Sequence, residues 1–265
     1  MPIITLLTDF GGQDYFVGAM KGAILSINPN ACIVDITHEI PPQDIHAAAF
    51  NLLAAYESFP PGTIQLAVVD PGVGSARRAI LVECGQQFFV GPDNGCFSWV
   101  CQREGNFRAF QLTNESFFRH PVSATFHGRD IFAPVAAALS NGVAPKDFGP
   151  RIDDLVQLES LNPKTNVNGE TEASIIHVDR FGNCVTNLTR ANFGERLDNV
   201  KLVVKDREIK SFREFFAAKD DRENELFCLF GSAGFLEIAK QNAPASEALN
   251  ARRGERVLLI GGGPN

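Results

Sequence analysis

Apolar and polar positions divide the chain into two textures. Up to about residue 150, short apolar runs alternate with segments whose apolar and small residues recur at helical spacing. "IITLL" (3–7) precedes "YFVGAMKGAILSI" (15–27), and "ACIVDI" (31–36) precedes "QDIHAAAFNLLAAYESF" (43–59). "GTIQLAVVD" (62–70), "AILVEC" (79–84) and "QFFVG" (87–91) read as further strands, and alanine-rich "DIFAPVAAALSNG" (130–142) reads as a helix stopped by Asn-Gly. Continuous apolar strands alternating with helices predict an α/β domain with a mostly parallel sheet flanked by helices.

Beyond a turn-rich linker that includes "NPKTNVNGET" (162–171), the pattern changes. "ASIIHVDRFGNCVTNL" (173–188), "VKLVVKD" (200–206), "LFCLFGS" (226–232), "FLEIAKQN" (235–242) and "ERVLLIGGG" (255–263) are strand-like pieces separated by Gly, Asn and Asp. They predict a smaller, mainly β domain. The expected division is 1–155 for the N-terminal α/β domain and 172–265 for the C-terminal β domain.

Composition narrows the function classes. The chain has 265 residues, is 45% hydrophobic and 21% charged, and carries a formal net charge of −7, which disfavours a nucleic-acid partner. No apolar run approaches the ~20 residues that span a bilayer, and no basic segment precedes an apolar one at the N-terminus, so a cytoplasmic protein away from membranes is expected. The six cysteines are scattered and read as free buried thiols.

In open parallel sheets, ligands bind beyond the carboxyl ends of the strands. Asp9, Asp70 and Asp93 with Asn94 fall at such ends, and His127 stands at the threshold of the last helix. Taken singly, each is a common turn former or helix cap. The glycine loop "DPGVGSARR" (70–78) lacks both phosphate-loop spacings, and the segment after it reads as a strand, not as a helix whose N-terminus would hold an anion. The alternative is that small residues let the chain fold back and bring Arg77 to Asp70. A metal held by Asp9, Asp14, Asp70, Asp93, His38 and His127 is the weaker reading, because Arg77 would compete with the cation; no cofactor is expected. His38 and His46 read as structural, and Arg129 with Asp130 as a charge pair at a helix start.

Seven motifs occur in order from end to end: "LLTDFGGQDYFVGAMKG", "DITHEIPPQDIHAAAF", "AVVDPGVGSARR", "PDNG", "FHGRDIFAPVAA", "DRFGNCVTN" and "GSAGFLEIAKQN". Together they resemble the S-adenosyl-L-methionine hydroxide adenosyltransferase family, relatives of the fluorinating and chlorinating enzymes. The resemblance implies attack of water or hydroxide on ribose C5′ of S-adenosyl-L-methionine, releasing adenosine and L-methionine. It places the family's triad on Asp70, Arg77 and His127, and the ribose-diol carboxylate on Asp9. Contacts to adenine and the methionine portion fall on Asp179, Phe181, Asn183, Ser232 and Glu237. Glu237 would face the methionine ammonium and Phe181 would stack on adenine, although core packing is the commoner fate of such a phenylalanine. Halogenating relatives carry an aromatic residue in place of Asp70, Tyr-Ser in place of His127-Gly128 and threonine in place of Val73, so hydrolysis is favoured over halide-dependent adenosyl transfer. A non-catalytic binding or sensor module is the remaining alternative. Phe126 and Val73 would form a dry wall at the reacting centre. The resemblance further implies a homotrimer with active sites at subunit interfaces.

Overall fold

The structure is a computed structural model that describes residues 3–167, 169–193, 200–216 and 225–261. Asn168 of the linker and the last two glycines of "ERVLLIGGG" lie outside the described residues. The chain divides into two compact units, Met1–Ser160 and Leu161–Asn265. Among the described residues no helix is long and apolar enough to cross a membrane.

The first unit runs β1 (Ile3–Thr8), α1 (Phe16–Ile27), β2 (Cys32–Thr37), α2 (Ile45–Ala55), β3 (Ile64–Val68), β4 (Ala79–Cys84), β5 (Gln87–Pro92), α3 (Ser98–Glu104), β6 (Phe107–Gln111), α4 (Ala133–Ser140) and β7 (Arg151–Ile152). Its seven-stranded sheet has the order β2-β1-β3-β5-β4-β6-β7. The pairings from β2 to β5 are parallel, whereas β5–β4, β4–β6 and β6–β7 are antiparallel, so the sheet is mixed and not mostly parallel. The reason is local. Gly85 (φ 56°) and Gln86 (φ 62°) form a two-residue positive-φ turn between β4 and β5, which leaves no length for a crossover helix.

Alternation along the strands sorts the two faces. Ile4, Leu6, Ile64, Leu66 and Val68 form a buried core with Met20 and Ile24 of α1 and the alanine-rich α4. The opposite side carries an unexpected polar ladder. Thr5 Oγ1 donates to Gln65 Oε1 (2.5 Å), Gln65 Nε2 to Gln87 Oε1 (2.7 Å), and Gln87 Nε2 to the carbonyls of Tyr56 (3.0 Å) and Phe59 (2.9 Å). Buried amides persist because these partners satisfy them. The alanine-rich segment begins earlier than its sequence pattern suggests, as a π-helical turn over Gly128–Phe132 that leads into α4.

The second unit is antiparallel: β8 (Lys164–Thr165), β9 (Thr171–Val178), β10 (Cys184–Thr189), β11 (Lys201–Val204), β12 (Arg207–Ile209), β13 (Leu226–Phe230), β14 (Phe235–Lys240), a short α5 (Ala245–Leu249) and β15 (Arg256–Ile260). The order is β12-β11-β15-β9-β10-β14-β13, with β8 paired to β9. Phe212, just past β12, bridges to Cys228 of β13, so the sheet curls toward a barrel around Ile175, Leu188, Leu202, Leu236 and Val257. All six cysteines are free; five are buried, and Cys32 at the start of β2 is exposed, contrary to expectation.

One contact joins the two loops that carry the candidate catalytic groups. Gly74 has φ +76°, and a Cβ there would lie 2.3 Å from the Ala124 carbonyl oxygen. Gly142 (φ +91°) has open space around that position. Gly74→Ala is therefore expected to destabilise the protein by about 2 kcal/mol or more and Gly142→Ala by only about 1 kcal/mol, as read from urea unfolding midpoints. Equal losses would refute the close approach.

Candidate active site

Successive short turns fold the loop after β3 back on itself. Val73 N–H donates to the Asp70 carbonyl (3.2 Å), Ser75 N–H to the Gly72 carbonyl (3.1 Å), and Arg77 N–H to Ser75 Oγ (3.2 Å). Gly72 leaves the room Arg77 needs, since a Cβ there would lie 3.1 Å from Arg77 Cγ. Arg77 Nε donates to Asp70 Oδ1 (2.8 Å) and Oδ2 (3.1 Å), and Nη2 closes the fork on Oδ2. The same Nη2 lies 2.7 Å from His127 Nδ1. The guanidinium also sits over the Phe132 ring, 5.2 Å from its centroid.

This geometry assigns a tautomer. Arginine can only donate, so His127 Nδ1 must accept, and the neutral ring carries its proton on Nε2. Burial and the neighbouring Arg77 charge push the His127 pKa below the ordinary histidine value, in agreement with a neutral imidazole.

Asp9, Phe10, Phe16, Gln43, Val68, Asp70, Val73, Phe126 and His127 line one cavity of about 360 Å³ in the first unit. Asp9 and Asp70 enter it from the carboxyl ends of adjacent parallel strands. Asp9 Oδ2 accepts from the Gln43 N–H at 2.8 Å. Phe126 packs against Phe16, Phe10 and Tyr15 at centroid distances of 5.3, 6.0 and 6.4 Å. Arg129 covers the Phe126 ring at 5.0 Å and pairs with the fully buried Asp130, which also accepts the Ser123 N–H at 2.9 Å. Arg129 and Asp130 thus brace the segment that delivers Phe126 and His127.

Other strand-end candidates lie outside the cavity lining. Asp93 is buried, holds Arg78 through Nε at 2.8 Å and accepts the Val156 N–H at 2.9 Å; Asn94 Nδ2 donates to the Val69 carbonyl at 2.8 Å. Of the paired arginines, Arg77 therefore holds the cavity-lining Asp70 and His127, while Arg78 links Asp93 to Asp154. His46 stacks edge-on against Trp99 at 6.0 Å.

Asp179, Phe181, Asn183, Ser232 and Glu237 line a second cavity of about 820 Å³, within the second unit. Asp179 Oδ1 accepts from the N–H groups of Phe181 (2.9 Å) and Asn183 (2.8 Å), and Oδ2 from Asn183 Nδ2 (2.9 Å). Most of its acceptor capacity thus holds the turn that presents Phe181. That ring is 77% exposed and is not core. Glu237 folds over Gly231, where a Cβ would lie 1.7 Å from Glu237 Oε1. Burial and then the Asp179 charge raise its pKa. Sequence reasoning missed Phe10, Phe16 and Gln43 in the first cavity and Phe216, Phe227 and Pro244 in the second. The clustered aromatics of "DFGGQDYF" were the available signal.

Family models for the SAM hydroxide adenosyltransferase N-terminal and C-terminal domains match residues 4–149 and 173–258. An (R)-S-adenosyl-L-methionine hydrolase from Methanocaldococcus jannaschii is 37% identical, covering 98% of this chain and 96% of that protein. A protein of the same name from Thermus thermophilus is also 37% identical, with 97% and 99% covered. A fluorinase from an Actinoplanes species is more distant, at 26% identity with 97% of each chain covered. A solved structure from Thermotoga maritima, described as an uncharacterized conserved protein, superposes with a TM-score of 0.88 at 37% identity, over 97% of this chain and all of that one (100%). With both domain models matched in order, and full-length relatives beside them, the chain belongs to the SAM hydroxide adenosyltransferase family.

Proposed function

We propose that the protein hydrolyses S-adenosyl-L-methionine to adenosine and L-methionine by attack of water on ribose C5′. The observation that carries this reading is Arg77 bridging Asp70 and the acceptor nitrogen of His127, two groups that line one cavity. The substrate is a sulfonium whose leaving group departs as a neutral thioether, so hydroxide attack neutralises charge along the path. The apolar side made by Phe126, Val73 and Phe16 favours that change, because desolvation penalises separated charges more than the spread transition state. In-line positioning supplies a further share of the rate.

Bulk water, with a pKa of about 15.7, needs help to attack. In the proposed arrangement the second lone pairs of Asp70 accept the water proton, and His127 Nε2–H holds the water oxygen. Arg77 stabilises the developing hydroxide. Asp9 binds the ribose diol, Phe181 stacks on adenine, and Glu237 meets the methionine ammonium. Asn183 and Ser232 supply polar contacts beside them, and Asp179 acts chiefly by setting Phe181.

One refinement follows from the hydrolase relatives. Their names specify the (R) sulfonium epimer, and we infer the same substrate here. We also infer a cytoplasmic homotrimer in which each active site is completed between subunits.

Purified protein given each sulfonium epimer, with and without chloride, is expected to release adenosine and methionine from the (R) epimer and no 5′-chloroadenosine. Asp70→Asn should lower kcat on the order of a hundredfold or more with little change in KM; unchanged turnover would remove Asp70 from the chemistry. The pH profile has a defined sign. The active ring is neutral and its pKa is lowered, so kcat should hold below the ordinary histidine pKa of 6.5 and fall only at still lower pH, as the ring protonates and repels Arg77. A midpoint above that value would contradict the tautomer. Gly231→Ala displaces only the end of the flexible Glu237 side chain, so it should fold normally yet raise KM about tenfold.

A further inference from the structure

The motif "DITHEIPPQDIHAAAF" contributes little to the first cavity beyond Gln43 and its neighbouring proline, yet its first half wraps the turn that carries Asp9. The Gly11 N–H donates to the His38 carbonyl at 2.8 Å, and the Ile40 N–H to the Thr8 carbonyl at 3.4 Å. Gln43, held at φ 65°, points its N–H at Asp9 Oδ2. A non-glycine residue in this region is strained and persists only where its surroundings hold it. The wrap therefore sets one oxygen of the Asp9 carboxylate.

His38 is the side chain that keys the wrap. Its Nδ1 lies 2.9 Å from Oγ1 of Thr8, a fully buried residue. That Oγ1 accepts the Phe10 N–H at 3.3 Å, so its own hydrogen is free to go to Nδ1. The ring proton then sits on Nε2, which is shielded from solvent and lies 3.2 Å from Asp35 Oδ1 without forming an aligned hydrogen bond. Asp35 is in turn held by Lys21 at 2.6 Å. A chain of contacts thus runs from a surface ion pair through His38 and Thr8 to the backbone on either side of Asp9. Sequence reading treats this histidine as structural only, but its bonds end on the residues flanking a cavity-lining carboxylate.

We propose that His38 is a positioning residue for Asp9, fixing the β1 turn through Thr8 so that the carboxylate meets the ribose diol in one orientation. The proposal rests on the reading of Asp9 as the diol-binding group. It predicts an effect on binding and not on the chemical step, because His38 is not among the cavity-lining residues and its ring contacts run to Thr8 and Asp35.

Steady-state kinetics on the sulfonium substrate test it. His38→Ala and Thr8→Val should each raise KM by ~10-fold, about the worth of one hydrogen bond, with kcat within ~2-fold of wild type. His38→Asn, whose amide oxygen can take the place of Nδ1 as acceptor from Thr8, should recover most of that loss, and it serves as the folded reference if the alanine variant is unstable. In an Asp9→Ala background the His38→Ala effect should vanish, and a substrate lacking both ribose hydroxyls should not distinguish wild type from His38→Ala. A fall in kcat at constant KM, or an undiminished His38 effect without Asp9, would overturn the proposal. If Asp9→Ala weakens binding while the His38 and Thr8 variants are silent, positioning fails and the diol reading stands. If Asp9→Ala itself binds as wild type, both fail.

Discussion

The first cavity depends on one guanidinium. Arg77 forks onto Asp70, donates to His127 Nδ1 and lies against Phe132, so a single planar group sets the direction of a carboxylate, the tautomer of an imidazole and the spacing between them. Lysine could not replace it, because an ammonium has no fixed fork to hold two acceptors at a set angle. The glycine loop exists to make this fold-back possible: Gly72 clears the path of the arginine stem, and Gly74 lets the loop touch the segment carrying His127.

The cavities of the two units differ in character. The first cavity concentrates titratable groups against an aromatic wall. The second is larger and offers an exposed phenylalanine, a carboxylate desolvated over a glycine and a turn held by an internally satisfied aspartate.

Much of this was legible in the residues. Asp9 and Asp70 could be placed because apolar strands ending in aspartate put carboxylates at one edge of a parallel sheet. The failure of the phosphate-loop spacing correctly left Arg77 and Asp70 as partners. Asp93 has the same local signature as Asp70 but serves as an anchor, because its partners Arg78 and Val156 come from segments whose approach no local pattern reveals. The antiparallel half of the sheet turned on two positive-φ residues, Gly85 and Gln86, of which only the glycine signals such a turn. Phe126 was anticipated as one wall of the cavity, but Phe10 and Phe16 were missed because they meet it only through folding, across more than a hundred residues of chain.

The polar ladder beneath the sheet has a bearing on fidelity. Strands β1, β3 and β5 are apolar enough to slide past one another at little hydrophobic cost, and Thr8 lies level with Val68 only in the native pairing. Sliding β1 by one residue would turn Thr5 toward the apolar α1–α4 side and leave the buried Gln65 Oε1 without its donor. It would also shift Asp9 relative to Asp70 by about 3.3 Å and reverse its facing. Three buried side chains remote from the cavity thus act as an alignment key for parallel strands, and the level at which two carboxylates emerge is set by polar groups that touch neither.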